Sequence, residues 1–125
     1  MKESGIRYNS EMFISYSDDQ GKTWQKGAAM RAPLQWVSPH GPFLELPDGT
    51  ICKTVYGTLT KKDSDCYAGC NGVFRSQDGG ETWDDFSIAF RHGPKRPDDP
   101  QPEPRYSEID IVPLPDGRWL GLSRT

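Results

Sequence analysis

Short apolar stretches alternate with turn-forming residues along the whole chain. FLEL and ICKTV lie either side of one PDG triplet, and IDIV and WLGL lie either side of another. Each pairing reads as two antiparallel strands joined by a tight turn, because Pro, Asp and Gly supply the dihedrals that a reversal needs. Strands are predicted at 11–16, 24–30, 43–46, 50–56, 72–75, 83–90, 108–113 and 118–123. Nothing shows helical periodicity over a useful length. The predicted class is therefore all-β and antiparallel.

An octapeptide occurs twice, SDDQGKTW from Ser17 to Trp24 and SQDGGETW from Ser76 to Trp83, both fitting S-x-D-x-G-x-T-W. Its chemistry is that of a turn between strands. Asp19 and Asp78 are expected to fold their carboxylates onto backbone N–H groups, and Gly21 and Gly80 to take positive φ. Thr23 and Thr82 are then placed at the start of the next strand, and Trp24 and Trp83 as apolar faces for the core. A second repeat, LPDGT at Leu46 to Thr50 and LPDGR at Leu114 to Arg118, is interleaved with the first. Asp19 to Asp78 is 59 residues and Asp48 to Asp116 is 68. The nine extra residues fall in the Pro-rich stretch 91–106, which cannot be a central strand and reads as a surface loop.

A period of this length with four short strands is the layout of a propeller blade. The expected division is an outer half-blade with its box at 1–35, a complete blade with its box at 36–90, the loop at 91–106 and an inner half-blade at 107–125. Open edges at both ends would seek partners, and self-association through them is one way of meeting that need.

Composition narrows the functions open to such a chain. With 34% hydrophobic residues, 13 glycines and 11 prolines in 125 residues, and a mean hydropathy of -0.77, it fits many short strands rather than one large core. The formal charge of -3 is spread without a basic stripe, which argues against a nucleic-acid partner. No stretch approaches a membrane span, and MKESGIRYN has no apolar signal region, so no membrane partner is expected and the compartment stays open. Cys52, Cys66 and Cys70 have neither CxxC spacing nor a histidine partner, so no metal and no cofactor is expected. Cys66 and Cys70 either bridge in an oxidising compartment or, the reading preferred, pack as small residues in a strand and a loop.

The two octapeptides resemble the Asp-box, or BNR, repeat, and the chain as a whole resembles the central blades of bacterial-type exo-α-sialidases, which are six-bladed propellers. The resemblance implies about two blade-equivalents of such a propeller, carried by a piece of a longer enzyme. It also implies that the boxes lie on the face away from any active site. Ser17, Asp19, Gly21, Thr23, Trp24, Ser76, Asp78, Gly80, Thr82 and Trp83 are accordingly structural.

The segment SEIDIVPLPDGRWLGLSR is similar to one that sialidases carry, a Glu followed sixteen residues later by an Arg, here Glu108 and Arg124. Folding at Asp116-Gly117 brings both to the open end of one hairpin. By resemblance, Arg124 belongs to the arginine triad that grips the sialic acid carboxylate, and Glu108 polarises the tyrosine nucleophile of this glycosidase class. The alternative for the pair is a plain rim salt bridge. His40 and Tyr56 stand at the matching intervals around Asp48-Gly49 and are expected at the matching rim positions, facing a sialic acid or related glycan. Asp63 and Asp65 are weaker candidates. No nucleophilic tyrosine, acid/base aspartate or complete arginine triad is evident, since Tyr106 is not where the family places its tyrosine. One copy is not expected to hydrolyse a glycoside. A non-catalytic propeller module that binds glycan or protein, or an oligomeric ring, is the competing expectation.

Overall fold

The computed structural model describes residues 11–58, 69–91 and 107–124. Within them the chain is all-β: β1 (Met12–Tyr16), β2 (Gln25–Met30), β3 (Gln35–Glu45), β4 (Ile51–Thr58), β5 (Gly69–Ser76), β6 (Asp85–Arg91), β7 (Ile109–Pro113) and β8 (Trp119–Ser123). Three antiparallel sheets result, β1-β2, β3-β4-β5-β6 and β7-β8. Asp63, Asp65, Cys66, Tyr106 and the loop beyond Arg91 lie outside the described residues.

The octapeptides form the β1–β2 and β5–β6 turns through the bonds their composition implies. Asp19 Oδ1 accepts the backbone N–H of Lys22 and Thr23 at 3.0 and 2.9 Å, and Oδ2 accepts the Thr23 hydroxyl at 2.6 Å. Asp78 accepts from the Thr82 N–H at 2.9 Å and from its hydroxyl at 2.5 Å. Ser17 and Ser76 each donate to the box aspartate at 2.7 Å and accept from the box glycine N–H. These bonds, led by the threonine hydroxyls, lower both aspartate pKa values from 3.8 to about 2. Gly21 and Gly80 have φ of 83° and 95°, as expected, and the residues before them, Gln20 and Gly79, are left-handed as well. Thr23 and Thr82 lie inside the turns rather than at strand starts, because their hydroxyls are held by the aspartates.

The middle sheet is packed on both faces. Towards the first sheet, Val55, Cys70, Phe74 and Trp83 cluster with Met12, Met30, Leu34 and Val37. Towards the third sheet, Arg75 sits 5.6 Å from the Trp119 ring and Asn71 reaches Ser107 and Ser123. Alternation along β5 sends Cys70 and Phe74 one way and Asn71 and Arg75 the other. Gly72 is required here: an added Cβ would stand 2.6 Å from the Ser87 carbonyl oxygen and 2.5 Å from the Phe86 ring. Cys52 and Cys70 are buried free thiols, and burial pushes the Cys70 thiol up to about 11.

Two expectations change. The strand placed at 43–46 is the 11-residue β3, which tolerates Pro39 and Pro42 because it is an edge strand broken by bulges. The matched tryptophans also differ. Trp83 is 3% exposed, with its ring centroid 5.8 Å from that of Phe43, whereas Trp24 is 65% exposed, and among the described residues no strand corresponding to β3 stands beside it.

Candidate functional site

The β7–β8 hairpin is built from its turn outward. Leu114 N–H donates to Arg118 O at 2.7 Å, Asp116 Oδ1 accepts the Arg118 N–H at 3.1 Å, and Gly117 takes a φ of 85°. Five ladder pairs then run from Pro113↔Trp119 to Ile109↔Ser123. At the open end Arg124 N–H donates to Glu108 O at 3.0 Å, so the two backbones are paired and the side chains project from one point.

Those side chains form a fork-to-fork ion pair. Arg124 Nε donates to Glu108 Oε2 at 2.6 Å and Nη2 to Oε1 at 2.9 Å. The Ser107 hydroxyl donates to Oε2 at 2.5 Å. The Arg124 bonds first, and then the Ser107 hydroxyl, draw the Glu108 pKa from 4.5 down to about 2. The same bonds raise that of Arg124, and Tyr56 adds a small electrostatic contribution in the same direction. Glu108 is thus an anion held by three donor groups from two residues, and the Arg124 side chain, 71% exposed, has N–H groups beyond those bonds to offer another acceptor.

A shallow depression of about 430 Å³ opens beside the pair, lined by His40, Glu108, Asp110, Leu122, Ser123 and Arg124. His40 reaches it from β3, with Nε2 3.8 Å from Asp110 Oδ1. Tyr56 is outside this lining. The expectation that His40 stands opposite Tyr56 is corrected by the register. Near Ile51 the ladder pairs Leu44↔Cys52, but beyond the bulge it pairs His40↔Thr54 and Ser38↔Tyr56, which moves His40 two places inward. Gly41, with a φ of 65°, and Pro42, which has no N–H to donate, account for the break. A side chain at Gly41 would also place its Cβ 2.9 Å from Asp110 Oδ1, so glycine lets β3 approach β7.

Three contributors were not anticipated from sequence: Asp110, Ser107 and Asn71. Asn71 is fully buried on β5 and donates through Nδ2 to Ser107 O at 3.3 Å and to Ser123 Oγ at 2.9 Å. It therefore ties the neighbours of Glu108 and Arg124 to the middle sheet. A lone amide inside the apolar run CNGVF was the available signal. Its Oδ1 is buried without a hydrogen-bond partner. Lys53 is nearly buried as well, donating to the carbonyls of His40 and Gly41 and lying 5.0 Å from the Phe43 ring, so it braces the bulged segment. Desolvation lowers its pKa.

The structure thus defines an all-β protein of antiparallel sheets, with a carboxylate–guanidinium pair at the open end of its last hairpin. No protein-family model matches the chain, and no curated protein sequence matches it.

Proposed function

We propose that the chain forms part of an exo-α-sialidase-like β-propeller and that Arg124 recognises the carboxylate of a sialic acid or related glycan. One observation carries the reading: Glu108 fixes the Arg124 guanidinium through Nε and Nη2, while the Arg124 side chain is 71% exposed and lines an open depression. A guanidinium held in one orientation loses little freedom on accepting a second, planar carboxylate. Leu122 and His40 supply an apolar and a polar wall for a sugar ring.

Glu108 is assigned two roles. It positions Arg124, and it is the carboxylate that would polarise a tyrosine nucleophile brought to the site. With a pKa drawn down to about 2 it is a weak proton acceptor at neutral pH, so its effect on a phenol is electrostatic rather than that of a general base. The same observation favours a second reading, in which the module binds the glycan without turning it over. Release of chromophore from an α-sialoside would exclude the purely binding module, whereas binding without release is the outcome both readings give for one copy that carries no tyrosine nucleophile.

Recognition itself is tested through the Arg124 Nε–H resonance. It should shift on titration with N-acetylneuraminic acid and stay in place with the methyl ester, which has the same ring without the charge. Equal shifts with both, or with neither, would remove the carboxylate from the proposal.

A further inference from the structure

The chain's two repeats make its first and last sheets complementary halves of the middle one. Asp19 corresponds to Asp78 and Asp48 to Asp116, so β1–β2 correspond to β5–β6, and β7–β8 to β3–β4. In the middle sheet the two halves join through β4 and β5, in an unbroken ladder from Ile51↔Ser76 to Thr58↔Gly69. Their counterparts β8 and β1 each have a strand on one side alone among the described residues.

Exposure follows this difference. Cys52 and Thr54 on β4 are 1% and 4% exposed, while their β8 counterparts Leu120 and Leu122 are 60% and 77% exposed. Trp83 packs on Phe43, whose counterpart is Ile111, whereas the exposed Trp24 has no stacked ring and no β3-like strand beside it among the described residues. Charge agrees with the apolar pattern. Extending the ladder by one step would set Thr50 opposite Gln77, and the counterparts of these residues are Arg118, which in its own hairpin pairs with Asp116, and the oppositely charged Asp18.

We infer that β8 of one copy of this chain pairs antiparallel with β1 of a second copy, in the register Trp119↔Ser17, Leu120↔Tyr16, Leu122↔Ile14 and Arg124↔Met12. The pairing completes a four-stranded sheet, brings Ile111 onto the Trp24 of the second copy and sets Arg118 against its Asp18. It removes both exposed edges at once. The contact joins two different surfaces, so it repeats from copy to copy until a ring closes. Propellers close at four to eight blades, which corresponds to two, three or four copies here, and three copies give six. The inference rests on the repeat and the sheet pairing and not on what Arg124 binds, although it places Met12 of the second copy beside that arginine.

The test uses the full chain. Light scattering on the eluting protein should give a mass two to four times 14.1 kDa. Chains carrying Leu120→Cys and Tyr16→Cys, mixed under oxidising conditions, should form a disulfide joining those two positions, identified by peptide mass. Substituting Ser15→Cys for Tyr16→Cys slips the register by one residue and should abolish that link, because alternate side chains point to opposite faces. Leu122→Asp in the otherwise native chain should shift the mass to that of a monomer, and it serves if Tyr16→Cys fails to fold. A 14.1 kDa species at micromolar concentration overturns the inference. So does equal cross-linking at Ser15, or an assembly unchanged by Leu122→Asp.

Discussion

Trp24 and Trp83 occupy the same place in the same octapeptide, and replacing each by alanine measures what their surroundings contribute. Both indoles donate Nε1–H to the box glycine carbonyl, at 3.1 Å to Gly21 O and 2.8 Å to Gly80 O, so the local hydrogen bond is lost equally in the two variants. What differs is burial, 65% exposed against 3%. A buried Trp removes about 150–250 Å² from water, worth about 4–6 kcal/mol at about 25 cal/mol per Å². Trp83→Ala should therefore cost about 4–6 kcal/mol. Trp24→Ala, with about a third of that surface covered, should cost about 1–2 kcal/mol. Urea unfolding of both variants, followed by far-ultraviolet circular dichroism at a dilution where the chain is monomeric, provides the comparison. Equal losses would refute the placement of Trp83 in the core between the first two sheets. If copies associate as inferred, the Trp24→Ala loss should grow with protein concentration while the Trp83→Ala loss stays constant.

Further outcomes follow from the turns and from β5. Asp78 has a folded pKa of about 2 against an ordinary 3.8, so its stabilising effect is complete above 3.8 and is lost as pH falls through about 2. The urea midpoint of the native chain should fall more steeply across that window than that of Asp78→Asn, and parallel curves would contradict the turn chemistry. Gln20 has a φ of 63° where the second box has Gly79, so Gln20→Gly should stabilise the chain by about 0.5–1 kcal/mol, read as a raised urea midpoint. Gly72→Ala should cost about 1–3 kcal/mol or more, since the new methyl meets a backbone oxygen that only a strand shift can move. A neutral result in denaturation would mean that β5 and β6 lie further apart than described.

What was legible in the sequence was mostly local chemistry. The octapeptide bonds and the two PDG turns depend on residues within a few positions of one another, and they formed as their composition implies. So did the Glu108–Arg124 pairing, because an eight-residue arm on one side of a defined turn meets a seven-residue arm on the other. The misplacements arose where neighbours decide. Pro39, Gly41 and Pro42 disguised β3 as a loop, since an edge strand needs fewer of its own N–H groups, and the same bulge displaced His40 from Tyr56. Trp24 and Trp83 are indistinguishable by motif and differ only in which strands pack over them. Asp110 was hidden in an alternating strand pattern, and its proximity to His40 depends on how closely β3 approaches β7.

The most direct test of the central claim is the affinity of N-acetylneuraminic acid for the native chain and for Arg124→Ala, measured by calorimetric titration at neutral pH. Loss of two charge-assisted hydrogen bonds should weaken binding on the order of tenfold or more, with the fold unchanged by circular dichroism. Unchanged affinity in Arg124→Ala, or no binding by the native chain, would contradict carboxylate recognition at this site.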